Sequence, residues 1–154
     1  MSEYRIERTM VASGITVEGG RAQGSPMLLS EPLSFWGGFD ARRGVVVEHG
    51  HPDYGTSLKG RVVLMARAKG SSSSSSVLAE ALRHGAGPCA MVMREADLIV
   101  ALGAIVAREL YGVTMPIVVV DAPTWARLTD VPQPLTVIAT EGGRASVTWT
   151  PSYT

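Results

Sequence analysis

Between Arg61 and Gly85 the sequence RVVLMARAKGSSSSSSVLAEALRHG runs from an apolar segment through glycine and serines into a helical pattern. A chain carrying it has to place a strand, a small-residue loop and a helix in immediate succession. Val62 to Met65 read as a short buried strand, and Ala68-Lys69-Gly70 break it. Ser71 to Ser76 offer hydroxyls where a helix needs its first donors capped, and Val77, Leu78, Ala81 and Leu82 then share one helical face. Arg83 and His84 in the last turn and Gly85 just beyond suit the negative end of the helix dipole and a left-handed cap.

A helix N-terminus reached through glycine and small polar residues presents free N–H groups and a partial positive charge, so anions bind there. A serine held at that point has a second use: the same groups stabilise its alkoxide, and Lys69 is placed to add positive charge. The competing reading is a flexible serine linker. The run is short, however, and it abuts strand and helix with no polar margin.

The full chain has 154 residues, 45% of them hydrophobic and 18% charged, enough for one domain with a buried core and too apolar for wholesale disorder. Fourteen basic side chains balance 14 acidic ones, and neither a nucleic-acid footprint nor a polybasic membrane patch is visible. No run approaches the roughly 18 consecutive apolar residues of a spanning helix, and MSEYRIERT lacks a signal-peptide core, so a cytoplasmic protein is expected. The single Cys89, set in CAMVM, reads as an inert buried thiol. It cannot build an iron–sulfur or zinc site alone.

Along the chain, residues 1–9 read as an extension. Ile15–Val17 and Met27–Leu29 read as strands joined by tight turns at Gly19-Gly20 and Gly24-Ser25-Pro26. In EPLSFWGGFD, Phe35 and Trp36 stand before Gly37-Gly38, a fixed loop whose rings either cap the core or wall a pocket or partner contact. Val45–Val47 form a strand leading into Glu48-His49-Gly50-His51-Pro52-Asp53. Two histidines and a carboxylate invite a metal reading. The loop residues and the absence of a further histidine-rich segment favour a hydrogen-bonded loop or a substrate-facing polar group instead, since His84, the only other histidine, sits at an expected helix end. Cys89–Met93 and Ile117–Val120 read as strands flanking an apolar helix over Ala96–Leu110, with Leu98, Ile99, Leu102, Ile105, Val106 and Leu110 along one broad side. Gly103 within it suggests close approach to another backbone. Residues 135–149 read as a final antiparallel hairpin. The expected fold class is α/β, a β-rich domain with a mixed sheet and two main helices.

In this order and with short gaps, EPLSFWGGFD, HPDYGTSLKG, RAKGSS and ALGAIVARELYG resemble the small or swivelling component of the aconitase X enzymes. The resemblance runs from Gly14 to Asp121, within a family-like core of residues 10–121. It implies a single swivelling β/β/α domain, with a barrel-like mixed sheet, that closes over a large subunit carrying the iron–sulfur cluster. None would be bound by this chain alone. By resemblance, the base is the serine directly after the glycine of a G-S-S motif, here Ser71 of Gly70-Ser71-Ser72. Substrate binding falls to Gly70, Ser72 and Lys69, while Ser34, Phe35, Trp36, Gly37, Gly38 and His51 form a candidate pocket wall or subunit contact. Aconitase-like small domains follow the two serines with a carboxylate-gripping arginine. Ser73 stands there instead, which argues against citrate-like or isopropylmalate-like substrates.

The family's two activities are dehydration of cis-3-hydroxy-L-proline and of mevalonate 5-phosphate. The LSFWGG form and the serine-rich loop resemble the bacterial branch, which implies the hydroxyproline activity in a heterodimer with a large subunit. The alternatives are a mevalonate 5-phosphate dehydratase small subunit and a non-catalytic anion-binding swivelling module. Phosphohistidine carriers share the architecture, but their glycine-rich segment ending in Ser-His is absent.

Overall fold

The structure, a computed structural model, describes residues 8–152. All but the last two residues of the expected N-terminal extension lie outside that range. The chain opens with strands β1 (Met10–Glu18), β2 (Gly20–Gly24) and β3 (Pro26–Leu28), a distorted helical turn α1 (Phe35–Gly38), and the short pair β4 (Phe39–Asp40) and β5 (Val45–Val46). There follow β6 (Val62–Leu64), α2 (Ser74–Arg83), β7 (Ala90–Met93), α3 (Leu98–Tyr111), β8 (Ile117–Val119), α4 (Ala122–Leu128), β9 (Leu135–Ala139) and β10 (Arg144–Trp149).

Eight strands form one mixed sheet in the order β2-β9-β10-β1-β8-β7-β6-β3. Strands β3, β6, β7 and β8 are parallel, and β1 joins them antiparallel to β8, carrying β10, β9 and β2 beyond it. The sheet curls nearly into a barrel, because the end of β2 comes round to the start of β6. A Cβ on Gly24 would lie 2.5 Å from the Gly60 carbonyl oxygen and 2.9 Å from Cys89 Sγ. No helix among the described residues is long and apolar enough to cross a membrane.

The parallel strands read as continuous apolar runs because both their faces are covered. Val63, Met65, Met91, Met93 and Ile117 face one core cluster with the helices, while Val62, Leu64, Ala90, Val92 and Val118 face a second, inside the curl, with Leu135, Val137 and Val147. This alternation is the period of two of a strand, and each large apolar side chain so buried contributes about 1.5–3 kcal/mol.

Three expectations change. The polar segment GRAQG between the two expected turns is itself a strand, β2, which the reading of Ile15–Val17 and Met27–Leu29 as the strands here left out. Its backbone pairs with β9 from Gly20↔Ala139 to Gly24↔Leu135, and that pairing needs no apolar side chains. A further helix, α4, begins behind Asp121, whose carboxylate accepts the Thr124 N–H at 2.9 Å, with Pro123 in its first turn. Cap and proline were both legible. On α3 the broad side of Leu98, Leu102 and Leu110 faces outward, with Leu98 84% exposed. The buried face is the small one, Val100, Gly103, Ala104 and Ala107. It is chosen because α2 packs too closely for larger groups: a Cβ on Gly103 would sit 2.9 Å from the Ser75 carbonyl oxygen.

Candidate active site

The loops that leave the carboxyl ends of β6, β7 and β8 share one edge of the sheet, where open α/β folds bind their ligands. The β6 loop carries Lys69, Gly70 and Ser71 into the N-terminus of α2. Gly70 has φ +99°, and a Cβ there would overlap the Ser34 hydroxyl, so both backbone angle and space demand glycine. Ser71 is exposed at the rim, and its Oγ accepts the N–H of Ser73 at 3.1 Å. The N–H groups of Ser71 and Ser72 meet no acceptor among the described residues. No acidic side chain sits in the first turn of α2, so its dipole is unopposed there.

The six serines have distinct surroundings, which a flexible linker does not show. Ser73 at the N-cap position has helical backbone angles and makes no side-chain cap, a correction to the expected capping run; Ser71 Oγ does that work from two residues upstream. Ser74 is 5% exposed, and its Oγ accepts the Trp36 N–H at 3.1 Å. Ser75 Oγ donates to the Ser72 carbonyl at 3.0 Å.

Ser71, Ser74, Lys69, Gly70 and Phe35 line one wall of a pocket of about 190 Å³, and Asp97, Ile99 and Val100 at the start of α3 line the other. Asp97 Oδ1 accepts the N–H groups of Ile99 and Val100, both at 2.9 Å, and so neutralises the positive end of α3. A larger groove of about 490 Å³, between Gly14, Arg94 and Arg144, lies further along the edge. Two of its polar groups are spent on structure: Arg94 donates to the Val120 carbonyl at 2.7 Å and Asp121 caps α4. The smaller pocket has the convergent groups.

The Lys69 ammonium, expected beside Ser71, is engaged by Glu48. Its Nζ lies 3.0 Å from Glu48 Oε2, while Glu48 Oε1 accepts the Ser34 N–H at 3.1 Å. Burial raises the Glu48 carboxyl, but the Lys69 and Ser34 hydrogen bonds outweigh it and hold the group below its ordinary value. Gly38 makes room for this carboxylate, since a Cβ there would stand 3.0 Å from Oε1. Glu48 thus clamps the loop behind Ser71, a role the neighbouring histidines masked in the sequence.

The aromatic pair divides its labour. Phe35 is 1% exposed and meets Phe39 edge to face at 5.2 Å, whereas Trp36 is 58% exposed beside Gly37, which has φ +78°. Ser34 Oγ donates to the Trp36 carbonyl at 2.9 Å, fixing the turn. His51 does not line a pocket or an exposed contact: its side chain is fully buried, Nδ1 accepts the Asp53 N–H at 3.0 Å and Nε2 faces the Glu31 carbonyl at 3.2 Å. It braces the loop from within. His49 is exposed and stacks on Tyr54. No three metal-ligating side chains converge among the described residues. Cys89 lines a separate cavity with Gly60 and Pro88 and is half-buried, which pushes its thiol up.

Against known proteins, the family model of the aconitase X swivel domain matches residues 11–148. The chain is 41% identical to a cis-3-hydroxy-L-proline dehydratase of Pseudomonas aeruginosa, over 81% of this chain but only 22% of that protein. It is 39% identical to the phosphomevalonate dehydratase small subunit of Methanocella arvoryzae, over 64% of this chain and 74% of that one. The holo-form crystal structure of Thermococcus kodakaraensis aconitase X superposes with a TM-score of 0.74 at 27% identity, covering 90% of this chain and 98% of that chain.

Proposed function

The chain belongs to the aconitase X swivel-domain family, and on that premise we propose that it is the serine-bearing small subunit of a cytoplasmic hydro-lyase that dehydrates cis-3-hydroxy-L-proline in company with a large subunit. The observation that carries this reading is the setting of Ser71. Its oxygen accepts one N–H at 3.1 Å, at an unopposed helix N-terminus, on the rim of a pocket sized for a small molecule. The hydrogen bond and the helix end favour the alkoxide over the hydroxyl, and the pocket gives a small substrate room beside it.

In the reaction the Ser71 alkoxide takes the α-carbon proton, the released electron pair forms the Cα–Cβ double bond, and the β-hydroxyl departs as water with a proton from solvent, to which Ser71 afterwards returns its own. The cyclic enamine then tautomerises to the imine. The free N–H groups of Ser71 and Ser72 hold the substrate carboxylate, and Gly70 lets it approach the backbone. An iron–sulfur cluster supplies Lewis acidity in this family, but the residues of this chain do not fit one: Cys89 stands alone and no ligand set converges among the described residues. The cluster would come with the partner.

The charges around the pocket support the imino acid over a phosphate ester. Lys69 is paired with Glu48, and the Asp97 carboxylate occupies the opposite wall. A zwitterion carrying an ammonium beside its carboxylate suits such a site better than a phosphate dianion. The test is anaerobic assembly with the large subunit, followed by turnover of cis-3-hydroxy-L-proline and mevalonate 5-phosphate. Dehydration of the first alone is expected. Dehydration of the second alone would establish the phosphomevalonate reading, and turnover of neither, with anion binding by the free chain, would establish a binding module.

A further inference from the structure

Helix α3 is apolar on both sides, yet among the described residues only one side is covered. Val100, Gly103, Ala104 and Ala107 are buried, whereas Leu98 is 84% and Leu102 47% exposed, with half-buried Ile105 and Val106 continuing the same outward arc. A helix that is apolar all round is ordinarily enclosed on every side, and a contiguous exposed apolar stripe marks a contact surface. The stripe starts at the pocket, since Leu98 stands between Asp97 and Ile99, which line it together with Ser71. Trp36, 58% exposed, follows the pocket-lining Phe35 and is anchored through its backbone N–H to Ser74, which lines the same pocket.

We infer that Leu98, Leu102 and Ile105, with Trp36 beside the pocket, form the surface on which the large subunit docks, and that its docking closes the pocket over Ser71. The inference rests on the hydro-lyase reading above. The length of the relatives names the occupant: this chain spans 22% of the P. aeruginosa dehydratase, so most of that protein has no counterpart here. A second copy of this chain would bring only another serine to the mouth. The partner surface is correspondingly apolar at its centre, with polar groups at the rim.

The experiment is titration of the isolated chain with the large subunit of the same organism, read by sedimentation. Leu98→Glu combined with Leu102→Glu weakens association at least about tenfold, while Ser71→Ala and Val11→Glu, the latter on the antiparallel half of the sheet, leave it unchanged. Both leucines are exposed, so the free variant unfolds at the wild-type temperature; Leu98→Ser alone serves if the double variant does not fold. Unchanged affinity in the stripe variants would overturn the docking surface and leave the enzyme reading intact. Failure of the wild-type chain to associate at all would overturn the enzyme reading itself. Self-association of the free chain that the stripe variants abolish, with no effect on the large subunit, would assign the surface to a second copy.

Discussion

Gly70 and Ser34 pack so closely that a methyl group on the glycine would overlap the serine hydroxyl, and the same glycine holds φ at +99°. The contact joins the β6 loop to the aromatic turn, so the position of Ser71 depends on a residue 37 places earlier in the chain. Gly70→Ala meets both penalties at once. It should lower stability by about 1–3 kcal/mol and abolish turnover in the assembled enzyme, checked by thermal unfolding and by the dehydration assay.

Glu48 holds both Lys69 and the Ser34 N–H, and the sign of its pH dependence follows. Its folded-state pKa lies below the ordinary 4.5, so the unfolded chain takes up the proton first as the pH falls. The clamp contributes fully above that ordinary value and is lost as the pH drops through the lower folded one. Because Lys69 is about half exposed, the ion pair itself adds no more than about 1 kcal/mol. Glu48→Gln should flatten the acid limb of a stability-against-pH curve and reduce kcat several-fold with association to the large subunit intact.

The serines of the α2 entry are not interchangeable. Ser74→Ala removes the acceptor of the Trp36 N–H from a buried site, which should cost about 1–2 kcal/mol and loosen the Trp36 turn. Ser76 is exposed, and Ser76→Ala should stay within about 0.5 kcal/mol. Equal effects of the two in thermal unfolding would mean that the run behaves as a linker.

Where α2 and α3 meet, Gly103 faces the Ser75 carbonyl and the Leu78 side chain, and a methyl group on the glycine would stand 2.9 Å from the carbonyl oxygen. Backbone cannot yield as a flexible side chain does. Gly103→Ala should therefore destabilise by about 1–3 kcal/mol despite its better helix propensity, measurable in a denaturant titration.

The parts of the fold that could be read in advance were those where burial writes a pattern. Val62–Leu64, Ala90–Met93 and Ile117–Val119 are apolar on both faces and announce themselves, and the Gly70-Ser71 entry to α2 follows from helix-end chemistry. Strand β2 was illegible because GRAQG joins the sheet through its backbone alone. The outward face of α3 misled because periodicity finds an apolar arc without saying which side a close neighbour will choose; Gly103 decided it. At the site, Ser71 and Gly70 could be named from their local sequence. The Glu48–Lys69 pair could not, since Glu48 and Lys69 are 21 residues apart and only the folded loops bring them together.

The most direct test of Ser71 as the base is exchange of the substrate α-proton with deuterated solvent, measured on the assembled complex with Ser71 intact and with Ser71→Ala. With Ser71 as the base, wild-type enzyme both exchanges and dehydrates cis-3-hydroxy-L-proline. Ser71→Ala then loses both by at least about a hundredfold while still binding the large subunit. Near-wild-type exchange in the alanine variant would show that another group removes the proton, and would contradict the assignment of Ser71.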